Sequence, residues 1–227
     1  MQVKRIRALA FGAALVCWSG LIAPRIPDRW LVPLHAALSA ALVALTDAPL
    51  GLCPPQAWRG LRLGLGTAAV ATVAVAATTT VPNVRTAMNE RDVPAPVGGW
   101  LLVRIPFGTV WSEEAAFRAA MGTVAAEAFG PTWGRVLQAT TFGLSHVADA
   151  RGAGHPVAGT VLVTGAAGWA FGWLHARSGS VVAPMLAHLA VNEAGAIAAV
   201  AVQRARRRAR PSEAGAAPIL GHRSRSR

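Results

Sequence analysis

The sequence predicts an all-α fold, a polytopic transmembrane helical bundle of six to eight spans with a buried polar cavity. Three observations carry this. The chain is 53% hydrophobic and only 14% charged, whereas soluble domains carry about 25% charged residues. Apolar segments near the roughly 20 residues that a spanning helix needs recur along the chain. The few ionisable residues inside those segments stand at helical spacing, which gives them shared faces.

The segments run at about 8–23, 30–48, 61–81, 97–128, 131–149, 156–176 and 180–203. The first, in "MQVKRIRALAFGAALVCWSGLIAP", has the basic head and apolar run of a signal peptide. It lacks a small-x-small cleavage site, so a retained span is expected. The breaks "PRIPD", "CPPQAWRG", "VPNVRTAMNERDVPAP", "FGPTWG", "ARGAGHP" and "RSGS" combine Pro or Gly with charge, as connections do. Trp30, Trp58, Trp100 and Trp133 fall near these ends, where aromatic belts form. Gly168 and Gly172 in "GWAFG" make a GxxxG pair that lets helices approach closely. Segment 97–128 is long and is interrupted by Arg104 and Pro106, so a break or a tilted helix is expected there. Seven spans would put the termini on opposite sides, yet both ends are basic, which leaves the count at six to eight.

The net charge of +12 is concentrated in the tail. From Gln203 onward the chain holds eight arginines against one glutamate. Directly after an apolar helix, such a run marks the cytoplasmic side and an attraction to anionic lipid. No aromatic or fold signature of nucleic-acid binding accompanies it, so no nucleic-acid partner is expected. Lys4 is the only lysine, and Ala and Gly are abundant, as in a GC-rich bacterial genome; the expected location is a bacterial plasma membrane. Cys17 and Cys53 form no CxxC or zinc spacing and read as small hydrophobes.

A charged side chain at mid-bilayer costs about 2.5–3.5 kcal/mol on insertion scales, so each one requires a partner, water or a task. In "WSEEAAFRAAM", Arg118 lies four residues after Glu114, and the two can pair along one face. Glu113 points about 100° away and has no such local partner, which frees it for general-base chemistry. In "TFGLSHVAD", Phe142 and His146 stand i,i+4 on an apolar helix, while Asp149 falls near its end and is expected to be solvated. In "APMLAHLAVNEAG", His188 and Asn192 face the same way and can donate two hydrogen bonds to one oxygen, as an oxyanion requires. His35, His155, His175 and His222 lie near loops or ends and read as background. Polar residues on three hydrophobic helices imply a shared wet cavity. The same set would also serve as an interhelical clamp or a proton relay.

EExxxR at 113–118, FxxxH at 142–146 and "GWAFGWLHARSGSVVAPMLAHLAVN", which ends in HxxxN at 188–192, resemble the CPBP family. This family comprises CAAX proteases and bacteriocin-processing or self-immunity proteins, also called the Abi family. The resemblance covers about residues 97–200. With the apolar segments and the arginine-rich end, it divides the chain into N-terminal membrane spans over 1–96, a catalytic helical core over 97–203 and a basic disordered cytoplasmic tail over 204–227. It also implies an intramembrane endopeptidase acting on a membrane-bound protein or peptide, CAAX-type or bacteriocin-like. Glu113 and His146 would activate a water, His188 and Asn192 would form the oxyanion hole, and Glu114, Arg118 and Phe142 would support them. The residue types leave the cofactor open. Glu113, His146 and His188 make a ligand set for one divalent metal such as zinc, while a water held between Glu and His suffices without one. The alternatives are a non-catalytic scaffold or self-immunity protein, and a small proton-coupled transporter.

Overall fold

The computed structural model describes residues 1–209, which contain helices and no strand. Helix α1 (Gln2–Cys17) continues through a π-turn, Trp18–Ile22, and a short 3-10 turn, Ala23–Arg25. Then come α2 (Asp28–Leu45) and α3 (Gln56–Thr78). Five helical segments are long and apolar enough to cross a membrane: Gln2–Arg25, Asp28–Leu45, Gln56–Thr78, Val157–Ser178 and Val182–Ala209. The last two are α8 and α9 below. Their outer faces carry exposed Leu65, Val70, Val73, Leu162, Val163 and Ile197, as helices bathed in lipid do. Cys17 and Cys53 also lie on the exterior rather than in the core.

The stretch read as a connection between the third and fourth segments contains a helix, α4 (Pro82–Glu90). Pro82 starts it, where a missing N–H costs nothing. It docks against the end of α9, and Gln203 donates from Nε2 to the carbonyls of Met88 and Arg91. A one-turn α5 (Val97–Gly99) then leads into two π-helical stretches, Trp100–Trp111 and Glu114–Met121. π-helical winding is rare and concentrates at functional sites. Here it encloses Arg104 and Pro106, where the sequence predicted a break, and Glu114, with Glu113 just ahead of the second stretch. All eight residues of Glu114–Met121 are buried, so this stretch is the axis of the bundle.

Helix α6 (Gly122–Ser145) is bent at Gly130, whose φ of +78° is open to glycine, followed by Pro131. It stops at Ser145. His146 caps it with φ −91° and ψ 5°, and α7 (Val147–Gly152) follows. The predicted single segment 131–149 is therefore broken at His146. After α8 (Val157–Ser178), α9 (Val182–Ala209) carries the arginines Arg204 and Arg206–Arg208 in its last turns. The helix runs past the expected boundary at 203, and the rest of the predicted tail lies outside the described residues.

Close approaches define the packing. Gly12 of α1 meets Thr141 and Met121, and Gly60 and Gly64 of α3 meet Ser180 and Ala183 at the start of α9. Helix α8 runs antiparallel to α6, with Gly168 beneath Phe142 and Gly172 beneath Gln138. The GxxxG pair thus admits two α6 side chains rather than a bare backbone. A Cβ on Gly168 would stand 2.8 Å from Phe142 Cδ1, whereas one on Gly66 of α3 would meet nothing within 4 Å. Overpacking costs about 1–3 kcal/mol. Gly168→Ala is therefore expected to lower thermal stability in detergent by that order, while Gly66→Ala, a gain in helix propensity, leaves it unchanged or higher.

Candidate active site

The π-helical stretch Glu114–Met121 sends Glu114 and Arg118 into the bundle, where both are fully buried. Arg118 Nε lies 3.0 Å from Glu114 Oε2, the pairing expected from the spacing. The second oxygen of Glu114 is also engaged: Oε1 accepts from His188 Nδ1 at 2.7 Å. One carboxylate thus ties α9 to the central stretch across 74 positions of sequence.

Aromatic rings close around these charges. The Arg118 guanidinium carbon sits 3.9 Å over the Phe142 ring and 5.1 Å from that of Phe171. His188 stacks on Phe171 with centroids 5.0 Å apart and planes 23° apart. Phe142 also meets Phe117 and His146 edge-on, at 5.1 and 4.7 Å. A desolvated cation–π contact contributes about 2 kcal/mol, so the rings stabilise a guanidinium buried in the bundle. Phe142 thus touches both Arg118 and His146. Phe171 was not singled out, although it sits inside the quoted "GWAFG".

Glu113 has a different environment. Its side chain is 26% exposed and its Oε2 lies 3.9 Å from His188 Nε2. It lines a cavity of about 120 Å³ together with His146, Ser112, Ser145 and Asp149. The opposite wall comes from α1 and α2, through Leu15, Trp18, His35, Ser39 and Leu42. Ser39 donates to the carbonyl of Ser112 at 2.8 Å, which anchors α2 beside Glu113. His35, read as background from sequence, belongs to this wall, and its ring faces Trp18 at 5.8 Å. Asp149 is exposed at the rim, in line with its expected solvation.

His146 is fixed by its place at the helix end. Its Nδ1 donates to the Phe142 carbonyl at 2.8 Å, which leaves Nε2 as the free nitrogen. Asn192 donates from Nδ2 to the His188 carbonyl at 3.2 Å, one turn back on α9, so one amide N–H remains uncommitted. Glu113 therefore shares a cavity with His146 and approaches His188, while Asn192 flanks His188 on the same helix. The conditional metal set of Glu113, His146 and His188 is not drawn together: among the described residues, no three His, Cys, Asp or Glu side chains group as a metal ion requires.

The two glutamates have separable duties. Removing one partner of a buried ion pair costs about 3–5 kcal/mol. Glu114→Gln should lower unfolding stability in detergent by that order, because Arg118 and His188 lose their shared carboxylate. Glu113→Gln should shift it by less than about 1 kcal/mol, as expected for a partly exposed side chain with no close partner. Equal losses from the two variants would overturn this division.

No curated protein and no solved structure matches the chain. Residues 95–194, which hold the central π-helical stretch, the Phe142–His146 turn and the His188–Asn192 face, match the Rce1-like family, described as type II CAAX prenyl endopeptidase Rce1-like. This segment, which includes α8 and the first part of α9, is thus similar to the CAAX proteases, and the five apolar helices of spanning length mark the chain as an integral membrane protein.

Proposed function

We propose that the protein is a glutamate-type intramembrane endopeptidase in which Glu113 and His146 activate a water against a peptide carbonyl. The observation that carries this reading is the asymmetry of the adjacent glutamates. Glu114 is held on both oxygens, by Arg118 and His188, whereas Glu113 lines a cavity with His146. A general base must reach both water and substrate, and Glu113 is the carboxylate placed to do so.

In this scheme a water O–H gives its proton to Glu113 as the oxygen bonds to the scissile carbonyl carbon. The carbonyl oxygen becomes an oxyanion and takes hydrogen bonds from His188 Nε2–H and Asn192 Nδ2–H. His188 Nδ1–H is already given to Glu114, so donation through Nε2 needs the imidazolium form. Collapse of the adduct breaks the C–N bond, and the leaving amine takes a proton from Glu113 or through His146 Nε2. Because the candidate ligands do not group, no step is routed through a metal.

Residues 97–203 act in this reading as the catalytic core, and residues 1–96 supply the α1 and α2 wall. Two further helical segments, 97–129, which carries Glu114 and Arg118, and the shorter 131–145, pack among the five apolar spans; counting both gives seven crossings. The substrate is a membrane-bound protein or peptide, CAAX-type or bacteriocin-like, whose cleaved segment enters from the membrane surface. The basic end of the chain rests on anionic lipid.

General acid–base groups contribute about 10²–10⁴-fold and one oxyanion donor about 10²–10³-fold. In proteoliposomes offered prenylated and unprenylated CAAX-type peptides, Glu113→Gln and His146→Ala should lose cleavage by the first factor and Asn192→Ala by the second. All three should remain folded by thermal unfolding. Chelator treatment should leave the wild-type rate unchanged. Wild-type cleavage rates in the Glu113 and His146 variants would remove the assignment, and zinc-reversible inhibition by the chelator would replace the water scheme with a metal one.

A further inference from the structure

A second cavity, of about 200 Å³, lies behind the Arg118 pair. It is lined by Arg118, Thr123, Arg135, Gln138 and His175 among small apolar residues, and, among the described residues, by no carboxylate. The groups facing it are incompletely satisfied. Arg118 uses Nε on Glu114, while its Nη1 and Nη2 are buried without a protein partner. Gln138, only 1% exposed, has its Nε2 likewise unpartnered. Buried donors without acceptors are costly, most of all on a charged group. Two such side chains on one cavity call for an acceptor brought from outside.

The surroundings say what it is. Arg135 places its guanidinium 5.7 Å over the ring of Trp169. Trp133, Trp169 and Trp173 are 69%, 47% and 41% exposed. Outward-facing tryptophans are enriched at the level of lipid headgroups, and Trp133 beside the Gly130 bend and Trp173 near the end of α8 adjoin lining residues in sequence, which sets the cavity toward one membrane surface. A guanidinium fork binds phosphate through two parallel hydrogen bonds. A phosphate offers more acceptor oxygens than a carboxylate, which suits a cavity lined by two guanidinium groups and an amide. Basic pockets between membrane helices hold lipid phosphates in this manner.

We propose that this cavity is a phosphate-group site, filled by a lipid headgroup or by free phosphate, in which Arg118 is shared between the bound anion and Glu114. Because Glu114 also holds His188, occupancy reaches the candidate active site through a single guanidinium. The site stands on its own donors and does not depend on the protease reading.

The test is thermal unfolding and native mass spectrometry of the purified full chain in neutral detergent. The probes are inorganic phosphate, phosphatidylglycerol, and diacylglycerol with the same acyl chains but no phosphate. Stabilisation by phosphatidylglycerol alone identifies the lipid headgroup as the source, and stabilisation by inorganic phosphate identifies the free ion. A charge-assisted hydrogen bond is worth about 1.5–3 kcal/mol, so Arg135→Gln should weaken binding at least about ten-fold. Gln138→Leu, which removes an unsatisfied amide and should fold well, should weaken it measurably. Arg177→Gln, an exposed arginine outside the lining, should not. Stabilisation by diacylglycerol equal to that by phosphatidylglycerol, with no response to inorganic phosphate, would overturn the proposal, as would unchanged affinity in both the Arg135 and Gln138 variants.

Discussion

The Glu114 carboxylate is the constraint on which the remaining geometry depends. It sits fully buried between Arg118 and His188, so that two helical elements far apart in sequence meet at one charged group. A lone carboxylate or guanidinium in a bilayer is costly. Together, ringed by Phe142 and Phe171, the two sustain a charged centre inside a bundle built largely of apolar helices. The arrangement also fixes the rotation of α9. Once Nδ1 of His188 is committed to Glu114, its Nε2 faces Glu113 and Asn192 stands one turn further along.

The bundle inverts the usual distribution of side-chain size. Large hydrophobes such as Leu162, Val163 and Ile197 face outward, and the interior is built from Ala115, Ala116, Ala119, Ala120 and Ala125 around Phe117 and Met121. Without a hydrophobic drive between helices in lipid, close packing of small residues and polar bonds takes its place. The glycines of α8 follow that logic, since Gly168 and Gly172 make room for Phe142 and Gln138. The same insertion seats the ring beneath Arg118, so helix packing and site geometry are one event.

Much of this was legible in the sequence. Apolar runs and Pro/Gly breaks marked most helices, and the i,i+4 spacing of Glu114 and Arg118 named a pair that the structure closes at 3.0 Å. What escaped depends on how separate rods are turned toward each other. Periodicity gives a face to each helix but not its neighbour, so the His188–Glu114 bond, the Phe171 stack and the place of His35 could not be read locally. Helix α4 was missed because it is short and polar and is held by contacts to Gln203 rather than by its own pattern. His146 looked like a mid-helix residue, since nothing in "FGLSHVAD" signals the turn at which the helix stops.

The cavity has two owners. Glu113, Ser145 and His146 come from the family-matched segment, whereas Leu15, Trp18, His35, Ser39 and Leu42 come from helices that precede it. In the proposed protease, the groups that hold the water and the wall that faces them are thus carried on separate stretches of the gene. On that reading, drift in the first two helices would change which peptides are admitted while the reacting atoms stay where they are, so kinship in the core alone leaves a protein's diet undetermined.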